Sequence, residues 1–193
     1  MCKRDIYLPD ADAAQKAGEY VIRMTKEHDS VGGCVESVIK GAPAGLGDTV
    51  FEKLDANLAK ALMSIGAVKG VEVGDGIKVS QMLGSEDNDG FSMTKQGITK
   101  SSNHAGGILG GMSDGSDIIL RASFKATPSI LKTQHTVNKS DENIEISIKG
   151  RHDPIVVPRA VVVVESMAAL TILDALLLNM TATMDGIQKF YRP

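Results

Sequence analysis

The sequence predicts an α+β fold, an antiparallel sheet packed on long helices. Apolar residues recur at helical spacing near both ends and after residue 49, while short β-branched, alternating segments lie between them. No internal repeat or linker interrupts the pattern, so residues 1–193 read as a single α+β unit. The chain is 42% hydrophobic and 23% charged, with 20 Gly, 6 Pro and a net charge of -3. That is a soluble globular profile, which excludes collagen, a disordered tail and a coiled coil. At about 100–200 residues per domain the length supports a core without disulfide staples.

Pro9-Asp10 opens a helix that carries Ala13, Ala17, Val21 and Met24 on one face and runs to about Glu27, with Asp10 as its N-cap. Asp29-Ser30-Val31-Gly32-Gly33 breaks it, and Cys34 to Lys40 alternates as a strand. From Thr49, the positions Phe51, Leu54, Leu58, Leu62 and Ile65 predict a helix ending near Gly66. Ala67 to Val73 and Lys78 to Leu83 read as a hairpin around Gly74-Asp75-Gly76. Residues 84–115 are rich in Gly, Asn, Asp and Ser and too long for an ordinary connector, which makes them a candidate functional loop. Asp117 to Phe124 and Asn143 to Lys149 read as strands with antiparallel partners. A last helix starts after Pro158 and runs from about Arg159 to Asn179, apolar nearly all round. Glu165 and Asp174 lie inside it, and one such acid at mid-membrane costs about 2.5–3.5 kcal/mol, so a buried core helix is expected and no membrane partner.

The pI near 5.8 and the absence of Trp argue against nucleic-acid binding, which calls for a basic excess or stacking aromatics. Cys2 and Cys34 form no C-x-x-C pair and lie near no His at ligand spacing, so a reduced, cytoplasmic protein with no metal site is expected. Met1-Cys2-Lys3-Arg4-Asp5 does not open a signal peptide. Gly74-Asp75-Gly76 and Gly45-Leu46-Gly47 begin like a dinucleotide fingerprint, but Val79 and Val50 take the third glycine position, and no phosphate-binding G-K-[ST] run is present.

Three constellations carry chemistry. In Ser101 to Gly111, four glycines flank Ile108-Leu109, so backbone N–H groups can approach an anion or a planar ring; a tight structural loop is the equal alternative. Lys125-Ala126-Thr127-Pro128-Ser129 offers one cation and two hydroxyls, as a phosphate monoester requires, though such clusters are also common in loops. Lys149-Gly150-Arg151-His152-Asp153-Pro154, with Arg159 beyond it, is either a solvated charge cluster or an acid/base pair tuned by arginines.

These segments occur in order with Asp29 to Gly33, Phe51 to Ala56, Ser64 to Gly74, Gly84-Ser85 and Arg159-Ala160-Val161, and together they resemble chorismate synthase from about Leu8 to Leu178. The resemblance implies half of that family's β-α-β sandwich and a lyase of the shikimate pathway. The lyase eliminates phosphate from 5-enolpyruvylshikimate 3-phosphate, its small-molecule partner, to give chorismate. It also implies reduced FMN as cofactor, with NADPH a candidate reductant, and a homotetramer. By residue-for-residue match, Gly66, Ala67, Gly110, Lys125, Ala126, Thr127, Pro128, Ser129 and Arg151 would hold the flavin, and Asp153 would assist proton movement. Ala126 and Val163 stand where the family has proline. The family's N-terminal motifs, G-E-S-H-G and R-P-G-H-A-D among them, have no counterpart here. The chain therefore matches a C-terminal half and is expected to be inactive alone; the alternative is a non-catalytic fragment that keeps fold and oligomer contacts.

Overall fold

The computed structural model describes residues 7–95, 97–150 and 152–192. In chain order they form α1 (Ala11–Lys26), β1 (Gly33–Ile39), α2 (Leu54–Met63), β2 (Val68–Val73), a 3-10 turn (Gly76–Gln81) and α3 (Gly84–Asp87). There follow β3 (Phe91–Thr94), β4 (Gly97–Lys100), β5 (Ile108–Leu109), β6 (Met112–Ser113), β7 (Ile118–Phe124), β8 (Gln134–Val137), β9 (Asn143–Ile146), α4 (Val157–Asn179) and α5 (Met184–Tyr191). Antiparallel ladders join β3 to β4, β5 to β6 and β8 to β9, and the longest helices stand at the two ends of the chain, as the α+β class predicts. The fold divides into two compact units, Met1–Val35 with Ser123–Val161, and Glu36–Ala122 with Val162–Pro193.

In the first unit, Asp10 caps α1 by accepting from the Ala13 amide at 2.7 Å, and Ala14 and Val21 are buried. The helix closes through Glu27 N–H donating to Arg23 O, after which His28 takes the left-handed conformation at φ 59°. The next residues are locked to two later segments. Ser30 Oγ donates to Thr127 O at 2.6 Å, and Val31 N–H donates to Pro154 O at 2.8 Å beside a parallel bridge from Val31 to Ile155. Gly32 belongs there because a Cβ would lie 2.5 Å from Phe124 O.

The second unit holds β2 and most of β1 and β7, in the sheet order β1-β7-β2, and the central β7 alternates, burying Ile118, Leu120 and Ala122. Helix α2 buries Leu54, Leu58 and Leu62, one stripe at a spacing of four, and packs against β2 and β6. α4, whose first turn belongs to the first unit, buries Ala160, Val164, Ala168 and Ile172 at the same spacing.

Four expectations change. The helix expected from Thr49 starts at Leu54; Asp48 Oδ1 accepts from Thr49 N–H at 2.6 Å, and Phe51 is left-handed and 90% exposed. The strand expected over Lys78 to Leu83 is replaced by the 3-10 turn, because the Gly74 and Asp75 amides donate to Ile119 O and His104 O instead of closing a hairpin. The expected loop over 84–115 holds α3 and two hairpins. Finally, α4 is not buried all round: 17% of its apolar window is buried, and Val162, Leu170 and Leu178 are more than half exposed. By length and composition alone it is apolar enough to cross a membrane.

Candidate functional site

Lys125 to Ser129 follow directly on β7 in the first unit. The Lys125, Thr127 and Ser129 side chains have no hydrogen-bond or ion-pair partner among the described residues, so one cation and two hydroxyls stay available to a ligand. Ala126 and Pro128 are exposed between them. Pro128 contributes its carbonyl, which accepts from Gln134 Nε2 at 3.2 Å. Such a set suits an anionic oxygen cluster, as on a phosphate monoester.

Ser129 also lines a cavity of about 210 Å³ within this unit, together with Thr25, His28, Asp29, His152 and Asp153. Asp29 Oδ2 meets Lys132 Nζ at 2.6 Å, and that hydrogen bond, then the Ser30 amide, holds the Asp29 carboxyl below the usual carboxylate range. The Asp153 carboxylate meets Arg159 Nη1 at 2.6 Å and makes no hydrogen bond to His152. The two residues read as a possible acid/base pair are therefore separate, Asp153 being held by an arginine. His152 Nε2 is buried and has no hydrogen-bond partner among the described residues, a condition that costs about 1–3 kcal/mol unless a bound group satisfies it. Arg151 and Cys2 lie outside the described residues.

Gly66, Ala67 and Gly110 belong to the second unit. Ala67, between α2 and β2, is left-handed at φ 73°, a conformation that disfavours any side chain and that structures keep mostly at functional positions. Gly110 and Gly111, at φ 60° and 88°, make the two-residue turn from β5 to β6, and Gly110 is exposed with no heavy atom within 4 Å of where a Cβ would stand. A ligand can therefore meet bare backbone there.

A buried ionic network shapes this glycine loop. Lys100 Nζ lies 3.1 Å from Asp89 Oδ2 and 2.8 Å from Asp114 Oδ2, with the three side chains 4%, 2% and 8% exposed. Burial pushes the Asp89 carboxyl up, but hydrogen bonds from Ser102, the His104 and Ala105 amides and Lys100 outweigh it and hold the group well below the usual range. Burial likewise opposes charge on Lys100 and Asp114, and their mutual hydrogen bond reverses that effect, raising the one and lowering the other. Asn103 Oδ1 accepts from Gly107 N–H at 2.8 Å and Lys100 Nζ at 3.2 Å. His104 Nδ1 lies 2.7 Å from Asp75 Oδ2, and that hydrogen bond raises the imidazole above its ordinary value. Gly74 and Gly106 touch backbone to backbone, each standing where the other's Cβ would fall, at 2.6 Å and 2.3 Å from the facing amide nitrogen.

The sequence reading assigned nothing to His28, Asp89, Lys100 or Asp114. The ion pairs from Lys100 to Asp89 and Asp114 span 11 and 14 residues, and the cavity brings His28 beside residues more than a hundred positions on, at no local period. The one available signal was the set of acids on either side of Lys95 and Lys100 in a glycine-rich stretch.

Known proteins resemble this chain closely. The family model described as chorismate synthase matches residues 1–177. A chorismate synthase of Agathobacter rectalis is 64% identical over 187 residues, covering 97% of this chain and 51% of the relative. One from Methanosarcina barkeri is 55% identical over 176 residues, covering 91% and 48%. A solved structure of a chorismate synthase superposes with a TM-score of 0.74 at 28% identity, covering 94% of this chain and 48% of the other. The chain thus spans about half the length of the curated relatives it matches.

Proposed function

The chain belongs to the chorismate synthase family, and on that premise we propose that it forms one wall of a site that eliminates phosphate from 5-enolpyruvylshikimate 3-phosphate to give chorismate. Residues 1–193 act in this reading as one α+β unit of a cytoplasmic homotetramer, completed by the family's other half. The observation that carries it is the set of three unpartnered polar side chains, Lys125, Thr127 and Ser129, at the end of β7.

Reduced FMN, when bound, supplies transient electron density to the elimination, with NADPH as the candidate reductant. Lys125 and Arg151 offer positive charge and Thr127 and Ser129 offer hydroxyl donors, the groups that fit an anionic cofactor. The exposed backbone at Gly110 and the turn at Gly66-Ala67 let a planar ring approach closely. Asp153 is the proton acceptor, and its contact with Arg159 fixes the direction in which its free oxygen can serve.

Incubated alone with reduced FMN and the substrate under anaerobic conditions, the chain is expected to form no chorismate, because the leaving phosphate, the proton and the cofactor must be fixed together. Activity is expected to return when the N-terminal half of a relative is supplied as a second chain. In that assembly Lys125→Ala and Arg151→Ala are each expected to weaken flavin binding about tenfold or more, the scale of a lost charge-assisted contact. Asp153→Asn is expected to lower turnover more than flavin affinity. Unchanged flavin titrations in both cation variants would overturn the assignment. A second reading, a non-catalytic fragment that keeps fold and oligomer contacts, is favoured by the half-length match and predicts no activity in the two-chain assembly.

A further inference from the structure

We propose that the groove between the turn at Gly47-Asp48, α2 and the last turns of α4 receives α5 of a second copy of this chain, so that two copies exchange their α5 helices. Groove and helix both belong to the second unit, and α5 lies beyond residue 177, where the family match ends. The contact therefore stands apart from the flavin reading.

α5 presents an apolar face that its own chain leaves open. Met184, Ile187 and Tyr191 recur at spacings of three and four on one side, with Phe190 beside them, and none is buried. The Phe190 and Tyr191 rings meet edge to face at 5.0 Å. Lys189 and Arg192 flank them, and neither cation has a hydrogen-bond or ion-pair partner among the described residues. The junction before α5 sets its direction. The Met180, Thr181 and Ala182 amides donate back to Leu176, Leu178 and Asn179, and Thr183 Oγ1 accepts from Gly186 N–H at 3.1 Å. Gly186 is pressed so close that a Cβ there would lie 2.3 Å from Met180 O. Held in this way, α5 stays off the groove of its own chain, whose lining ends at Ala182.

The groove has the complementary composition. Its volume is about 310 Å³, Leu54, Ala175 and Leu178 form its apolar part, and Leu178 is 65% exposed to water there. Asp48, Glu52 and Asp174 add three carboxylates, and no cation lines it. Asp48 accepts from the neighbouring Thr49, whereas the Glu52 and Asp174 side chains have no partner among the described residues. No group of three or more His, Cys, Asp or Glu that could hold a metal ion is found among the described residues, so these acids await a cation of another kind. An apolar pocket edged by unspent negative charge calls for an aromatic side chain with a cation next to it, as in Phe190-Tyr191-Arg192. Because the same two surfaces meet twice about a two-fold axis, the exchange closes into a dimer and does not propagate.

Sedimentation of the 193-residue chain over a range of concentrations is expected to show a monomer–dimer equilibrium. Tyr191→Ala is expected to weaken it about tenfold or more, the scale of a truncated interface aromatic. Asp174→Arg and Arg192→Asp are each expected to weaken it as well, by placing like charges together. All three side chains are exposed, so the fold is not at stake. An equimolar mixture of the two charge variants is expected to dimerise as tightly as the parent, since each groove then meets the opposite charge on the other copy's α5. A chain that stays monomeric overturns the proposal. So does a dimer that none of these variants weakens, which places the contact elsewhere, or a mixture no tighter than its components, which is what docking of α5 in its own chain would give. Release of the copies by the N-terminal half of a relative, added as a second chain, assigns the groove to that half and overturns the proposal too.

Discussion

Replacing Lys100 with Met keeps the side chain to within one atom of its length and removes the one cation between two carboxylates that are 2% and 8% exposed. Breaking a buried pair from one side leaves uncompensated charge and costs about 3–5 kcal/mol. With a urea slope of about 2 kcal/mol/M, the unfolding midpoint is expected to fall by roughly 2 M with the slope unchanged. The loss should depend on pH. Asp89 and Asp114 are depressed in the folded chain, so their contribution is present above the unfolded carboxylate value near 3.9 and is lost as pH falls through the folded values. In Lys100→Met, Asp114 keeps only the Ser116 donors against its burial and is pushed upward. Its penalty is therefore expected to be full at pH 7 and to shrink toward pH 4, as the carboxyl takes up a proton. Asp114→Asn in the same chain should recover part of the loss. A midpoint shift below about 0.5 M at pH 7, or an equal loss at pH 7 and pH 4, would refute the claim that this lysine neutralises buried acid.

Gly107→Ala is expected to cost about 2–5 kcal/mol in urea unfolding, because φ is 79° and the new Cβ would lie 2.6 Å from Asp117 O. Ala67→Gly should raise stability by up to about 1 kcal/mol, relief of the left-handed strain being partly cancelled by the freer unfolded chain; a loss would mean that φ 73° is not strained there. Asp75→Asn should lower the NMR titration midpoint of His104. Since the folded value is raised, that pair stabilises fully below about pH 6.5 and less as pH climbs through the folded value, so the variant's deficit should vanish at alkaline pH. The chain is expected to unfold in one calorimetric transition, because β1, β7 and α4 each run from one compact unit into the other; two transitions would sink the single-unit proposal.

What the sequence made legible was local. Asp10 before a three-to-four spacing announced α1, and the alternation of Ile144 and Ile146 with Glu145 announced β9, because cap and period are properties of neighbouring residues. Lys78 to Leu83 reads as a strand because it follows the hairpin-like turn Gly74-Asp75-Gly76, yet the amides of that turn bond to Ile119 and His104, partners some thirty or more residues ahead that no window contains. α5 escaped notice because it is only eight residues long and buries none of Met184, Ile187, Phe190 and Tyr191, the last two being 68% and 74% exposed. The candidate site divides the same way. The K-A-T-P-S and R-H-D runs were readable as residue types, whereas the unsatisfied nitrogen of His152 exists only because three separate segments close around it.

The contact between Gly74 and Gly106 has a bearing on how this protein can vary. Because each glycine occupies the volume the other's side chain would need, neither position can be relaxed by changing its neighbour, and the first substitution at either already forces the two strands of backbone apart. The second substitution then finds the gap partly open, so the costs of the clash should be less than additive, while the left-handed φ of 59° and 64° adds its own cost at each position. Viable single steps away from glycine are thereby closed at both positions. The end of β2 and the turn that presents Gly110 are left to drift, if at all, as one piece.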